Sequence, residues 1–169
     1  DAVKVLTWIP SEPRVATPIK VIEDILKDVD ENSFEDVQFA NFMLDCLYTF
    51  SRSECPCPKA LSGRDAFNPR AHWRVCDFDV KPFAMLRALY IRFQAIKEDP
   101  RVERKEAQGD GDWAVITEVK GNPLWCPVEW AIKLQKFHPV GSRGRNDPYF
   151  THSDRKQAYT YSRALKDFH

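Results

Sequence analysis

Arg52 and Glu54 stand two residues apart, where the apolar run from Val37 to Phe50 gives way to Cys-Pro-Cys-Pro. An arginine delivered at the end of a hydrophobic helix can make two parallel hydrogen bonds to phosphate oxygens. It can then stabilise the charge that grows as a phosphoryl group is transferred. Glu54 is placed to orient that guanidinium. The same arginine also fits a plainer role, because basic side chains at helix C-termini satisfy free carbonyls. A second cluster, Arg92, Lys97, Arg101, Arg104 and Lys105, is dense enough to follow a DNA backbone. Glu98, Asp99, Glu103 and Glu106 are interleaved with it, so on charge alone a solvated mixed surface fits equally well.

Three further sets of residues bear on chemistry. His152 and Arg155 have the spacing of a histidine and an arginine that touch one phosphate, although a loop is expected there. Cys55, Cys57, His72 and Cys76 are zinc-ligand types, but the first pair encloses one proline where zinc sites usually enclose two to four residues. Cys46 and Cys126 fit apolar elements as core cysteines. Tyr48, Tyr90, Tyr149, Tyr159 and Tyr161 are candidate nucleophiles by type, and each also fits ordinary amphipathic packing.

Composition sets the frame for these groups. A chain of 169 residues, 43% hydrophobic and 30% charged, has the size of one ordinary domain with a proper core. No stretch reaches the roughly 18 consecutive apolar residues of a membrane span, and the N-terminus lacks the layout of a signal peptide. The expectation is a soluble intracellular protein without a membrane partner. Five irregularly spaced cysteines point to reduced thiols in a cytosolic or nuclear compartment rather than to a disulfide framework. A formal net charge of zero excludes a polycation that coats nucleic acid by bulk charge, so any such contact rests on local clusters.

The elements that must position these residues are legible in part. Residues 1–17 read as an extended lead-in, and 18–169 as one domain. Thr17-Pro18 offers an N-cap with proline at the first helical position, and Ile19, Val21, Ile22, Ile25, Leu26 and Val29 follow at helical spacing. A helix over 18–29 is expected. Ser33 and Asp36 form a loose capping box for a second helix, apolar on several faces and therefore central, that ends near Phe50 before the prolines. Residues 55–71 read as a loop, and 73–80 as a short strand. The next stretch fits either a helix or a strand; its neighbour Asp112–Val119 favours a hairpin of 89–97 with 112–119 across a long basic loop. A helix over 127–137 starts at Pro127, 141–148 is a loop, and Ser162 to Phe168 begins a last helix. The fold class is α+β, mostly helical with a small antiparallel sheet.

Taken in order, these pieces resemble the catalytic domain of the tyrosine recombinases, the phage-integrase-like family. There a catalytic arginine ends a hydrophobic helix in a pattern like TGLRxSE, to which Thr49-Phe50-Ser51-Arg52-Ser53-Glu54 is similar, with Phe in place of Gly-Leu. Trp73-Arg74-Val75-Cys76-Asp77-Phe78 resembles the strand with a Trp-Asp pattern, and Lys97 matches the catalytic lysine of the hairpin. Leu124-Trp125-Cys126-Pro127-Val128 resembles the apolar-Pro helix start, and Pro148-Tyr149-Phe150 the "pLF" strand.

The resemblance covers residues 18–169. It implies a DNA strand transferase that needs no metal or other cofactor, binds DNA and self-associates in a synaptic complex, in the nucleus or nucleoid. It implies that Arg52 binds the scissile phosphate and that Lys97 protonates the leaving 5′-oxygen, with support from Glu54. Arg92, Arg101, Arg104 and Lys105 would then line the DNA. In the family a tyrosine forms a 3′-phosphotyrosyl bond, and a His-x-x-Arg box precedes it. Here the chain stops about where that box is expected, and His152 to Arg155 lies too close to Tyr149-Phe150 to replace it. The expectation is therefore an incomplete or inactive recombinase-like domain. The alternatives are a non-catalytic DNA- or protein-binding subunit of a larger assembly, or a small zinc-stabilised interaction domain.

Overall fold

A helix that enters on proline must stop short of it when the proline is extended, and α1 does so. In the computed structural model, which describes residues 18–49, 57–93, 112–139 and 141–168, α1 is Ile19–Asp28. Pro18 stands just outside it at φ −60°, ψ 140°, not at the first helical position. The lead-in of 1–17 lies outside the described residues. Ile22 and Leu26 are buried, Ile25 and Val29 pack beside them, and Lys20–Asp24 and Lys27–Glu23 pair along the solvent side.

The next helix, α2 (Phe34–Thr49), is the central element, with Val37, Ala40 and Leu44 among its fully buried residues. Its expected cap is half realised. Ser33 Oγ accepts from the Asp36 N–H at 3.3 Å, while the Asp36 carboxylate accepts from the Asp30 N–H at 3.2 Å rather than closing the box on Ser33.

Three strands form one antiparallel sheet in the order β1-β2-β3: β1 is Phe78–Phe83, β2 Leu86–Phe93 and β3 Asp112–Thr117. The ambiguous stretch is therefore a strand. Its alternation sends Leu89 and Ile91 into the core and Tyr90 and Arg92 to the other face, in register with Ile116, Ala114, Val115 and Trp113 respectively. The expected strand over 73–80 is corrected. Residues 75–77 form a 3-10 turn, because the Asp77 carboxylate accepts both the backbone N–H and the guanidinium of Arg74 and curls the chain before it can extend.

From there Cys126 and Pro127 start α3 (Pro127–Lys136) as expected. This helix packs on α2 and over β2, and Trp130 donates its indole N–H to the Leu124 carbonyl at 2.9 Å. Arg87 of β2 ties the sheet to Glu118 and to Glu129 of α3. Tyr149 and Phe150 do not form the expected strand. The backbone there makes only isolated bridges, Arg74 with Pro148 and Thr151 with Ala158, since the side-chain amide of Gln38 occupies both backbone groups of Thr151. The final helix, α4 (Tyr161–Phe168), begins one residue earlier than the periodicity predicts, and Thr160 Oγ1 caps it from the Arg163 N–H. Four α-helices and a three-stranded antiparallel sheet make the described residues α+β. Among them no helix is long and apolar enough to cross a membrane.

Candidate functional site

The two residues on which the sequence reading turns, Arg52 and Glu54, lie outside the described residues, as do Lys97, Arg101, Arg104, Lys105 and Cys55. What surrounds them in the chain is defined. The central helix α2 is described up to Thr49, whose hydroxyl donates to the Asp45 carbonyl at 2.6 Å. The ladder that joins β2 to β3 is described as far as Phe93 opposite Asp112, and residues 94–111 connect the two strands.

A buried polar stripe holds α2. Gln38, Asn41 and Asp45 recur at i, i+3 and i+7, which places them on one face of the helix, and none is more than 1% exposed. Gln38 Nε2 donates to the Thr151 carbonyl at 2.6 Å, and Thr151 N–H donates back to Oε1 at 2.7 Å. Asn41 Nδ2 donates to Asp45 Oδ2 at 2.8 Å. Burial pushes the Asp45 carboxyl well above the ordinary carboxylate range, against the opposing hydrogen bond from Asn41.

The sign of the Asp45 pH effect follows from that direction. With its folded pKa raised, its contribution to stability is complete below the unfolded value, 3.8, and is lost as pH rises from there toward the folded pKa. Asp45→Asn keeps the shape and cannot ionise. Urea midpoints measured at pH 4.5 and 7.5 should move in favour of the variant, relative to the parent, as pH rises; a constant difference would count against a protonated Asp45.

The tyrosines are engaged in structure. Tyr149 is 5% exposed and its ring stacks on Phe78 at 3.6 Å, almost parallel. Burial, with Asp45 nearby, drives its phenol far above the normal range. Tyr159 Oη donates to Asp167 Oδ2 at 2.5 Å, and burial and that carboxylate both raise it. Tyr48 Oη donates to the Trp125 carbonyl at 2.8 Å. A phenol must ionise to attack, and the first two stand where ionisation is strongly opposed.

His152 and Arg155 share a turn but face different partners. The Arg155 guanidinium donates to the Phe137 carbonyl at 3.1 Å and lies over the Phe34 ring. The His152 ring is 6.0 Å from that of Tyr159. They are not brought together on one ligand. The zinc set is also dispersed: Cys57 is buried with Cys46 and Tyr159 as neighbours, His72 Nδ1 accepts from the Asn68 N–H at 2.9 Å, and Cys76 Sγ lies 3.8 Å from Asp77 Oδ1. Among the described residues no three histidines, cysteines or acidic side chains are grouped to hold a metal ion.

Arg92 is the one residue of the basic cluster within the described set. Its guanidinium carbon lies 5.9 Å from the centre of the Trp113 ring, and Lys81 Nζ lies 5.7 Å from that of Tyr90, both on the sheet face turned away from the core. Trp113 and the Gln38-Asn41-Asp45 stripe were missed in the sequence. Polar residues at helical spacing on an otherwise apolar helix were the available signal for the stripe. No protein-family model, curated protein or solved structure matches this chain.

Proposed function

We propose that this chain is the phosphate-gripping, sheet-bearing part of a tyrosine-recombinase-like DNA strand transferase, and that by itself it binds DNA without cutting it. The observation that carries this reading is order along the chain. The apolar central helix α2 leads within three residues to Arg52, and an antiparallel β2–β3 pair follows with Lys97 in its connection. The helix α3 then starts on Cys126-Pro127. In this arrangement Arg52 holds the scissile phosphate, Glu54 orients it, and Lys97 delivers a proton to the leaving 5′-oxygen. Arg92, Arg101, Arg104 and Lys105 follow the backbone.

The hydrogen-bonded phenols of Tyr48 and Tyr159 and the buried, stacked ring of Tyr149 favour binding over cleavage. A role as a non-catalytic DNA-binding subunit follows from the same observation, and it too predicts binding without cleavage by this chain. For binding, the readout is the dependence of duplex affinity on salt. Arg52→Ala and Lys97→Ala should each weaken binding and lower the slope of log K against log salt by about 1. Equal affinity and slope in the parent and both variants would remove the assignment.

A further inference from the structure

One face of the sheet is committed to the core, and the other is covered at Ala88 and open at Trp113 and Val115. Phe78, Val80, Leu89, Ile91, Ala114 and Ile116 point inward, against Trp73 and α3. By alternation Lys81, Tyr90, Arg92, Trp113 and Val115 occupy the opposite face, where Trp113 is 44% and Val115 43% exposed. A tryptophan left in water on a sheet is a large apolar surface without a partner.

The charges on this face say what that partner is. Arg92 lies over Trp113 at 5.9 Å, and among the described residues it has no carboxylate partner. Lys81 lies over Tyr90 at 5.7 Å, and Asp79 on the same face pairs with it at 2.8 Å, so among the described residues of this face Arg92 is the cation without a carboxylate beside it. Alternating aromatic rings and cations suit a polyanion that also offers flat faces. A nucleic-acid strand is such a ligand.

Spacing decides between paired and unpaired strands. Tyr90 sits opposite Val115 and Arg92 opposite Trp113, which makes Tyr90 and Trp113 diagonal neighbours on adjacent strands. Diagonal neighbours stand roughly 7–8 Å apart, about twice the ~3.4 Å rise per nucleotide in a stacked strand. Two rings so placed match bases drawn apart from each other. A duplex hides its base faces inside the stack and offers such rings little.

We infer that the outer face of the sheet is a stacking platform for an unpaired DNA strand, with bases on Trp113 and Tyr90 and a phosphate on Arg92. It rests on the strand-transfer reading above and deepens it, because strand exchange passes through unpaired ends that must be held apart from their partners. The platform belongs to the same hairpin whose connection carries Lys97.

The test measures binding of the whole chain to a labelled oligothymidylate and to a duplex of equal length by anisotropy. Trp113→Ala should weaken oligothymidylate binding roughly tenfold and leave duplex binding little changed, while Trp113→Phe keeps most of the affinity. Arg92→Gln should lower the salt slope for the single strand by about 0.7. Both positions lie on the surface, and thermal melts of the variants confirm that they fold. A parent that does not bind oligothymidylate overturns the proposal, as do variants that match the parent in affinity and slope. Duplex binding that both Arg52→Ala and Lys97→Ala leave unchanged removes the strand-transfer reading instead, so the two failures are distinguishable.

Discussion

Replacing Gln38 with leucine is expected to destabilise the fold by about 2–6 kcal/mol, although the side chain touches no candidate site. Gln38 is 1% exposed and closes two hydrogen bonds on the backbone of Thr151, at 2.6 and 2.7 Å. In effect its amide takes the place of a strand neighbour at Thr151, in a segment whose other backbone contacts are isolated bridges. Leucine fills a similar volume and returns neither bond, leaving a buried N–H and a buried C=O unpaired at roughly 1–3 kcal/mol each. The segment it releases carries Phe150, whose ring centre lies 5.4 Å from that of Phe42 and 6.2 Å from that of Trp73. A domain with a total stability of order 5–15 kcal/mol does not absorb such a loss without a large shift in its urea midpoint. Gln38→Glu keeps the acceptor for the Thr151 N–H and loses the donor to its carbonyl, so it too should destabilise. An unchanged midpoint for Gln38→Leu would show that this segment is held by its aromatic rings and its other backbone hydrogen bonds.

Why that contact escaped the sequence reading is plain from its span. Gln38 and Thr151 are 113 residues apart, and no local pattern links them. Where structure is set by neighbours, the reading was close: helical spacing located α1, α2 and α3 within a residue or two, and period-two alternation at Leu89, Ile91 and Tyr90 found the hairpin. It failed where a side chain overrides the local period. Trp73, Val75, Phe78 and Val80 suggest a strand by residue type, yet Asp77 folds the chain back on Arg74. Pro148-Tyr149-Phe150 reads like a strand, yet the adjacent Thr151 is bonded to Gln38 instead of to the sheet. The pairing of Arg92 with Trp113 depends on register across 20 residues of chain, which the hydrophobic pattern alone does not fix.

The candidate site was legible as chemistry more than as geometry. Residue type and order single out Arg52 and Lys97 as candidates, and both lie outside the described residues. The surroundings that would hold them firm were not found that way, because they are buried polar groups on an apolar helix, which periodicity counts as interruptions. Gln38 ties α2 to the Tyr149–Thr151 segment, while the Asn41–Asp45 hydrogen bond lies within the helix, so the rotation of α2 is fixed at Gln38. An arginine that must meet one phosphate gains from that constraint, since a small misplacement of a positioned group costs much of its effect.

The second large effect is expected at Asp77, where substitution by alanine should cost at least about 3 kcal/mol. Asp77 is fully buried and accepts from the Arg74 N–H at 2.8 Å, from Arg74 Nε at 3.1 Å and from the second guanidinium nitrogen at 3.1 Å. Alanine removes the carboxylate and leaves an arginine side chain that is 17% exposed facing the site of its lost partner. Much of the penalty comes from a guanidinium that loses its carboxylate and keeps the Asn146 Oδ1 acceptor at 3.3 Å. The damage would also spread, because this turn is tied to the 145–148 loop by the Val75 N–H to the Asp147 carbonyl and the Cys76 N–H to the Arg145 carbonyl, each at 3.0 Å. Arg74→Met with Asp77→Leu, which removes both charges together, should recover part of the stability, since a buried pair replaced whole by apolar side chains is often neutral. If the double variant is no more stable than Asp77→Ala, the turn depends on the capping geometry itself, and the backbone hydrogen bond from Arg74 to Asp77 is what sets the start of β1.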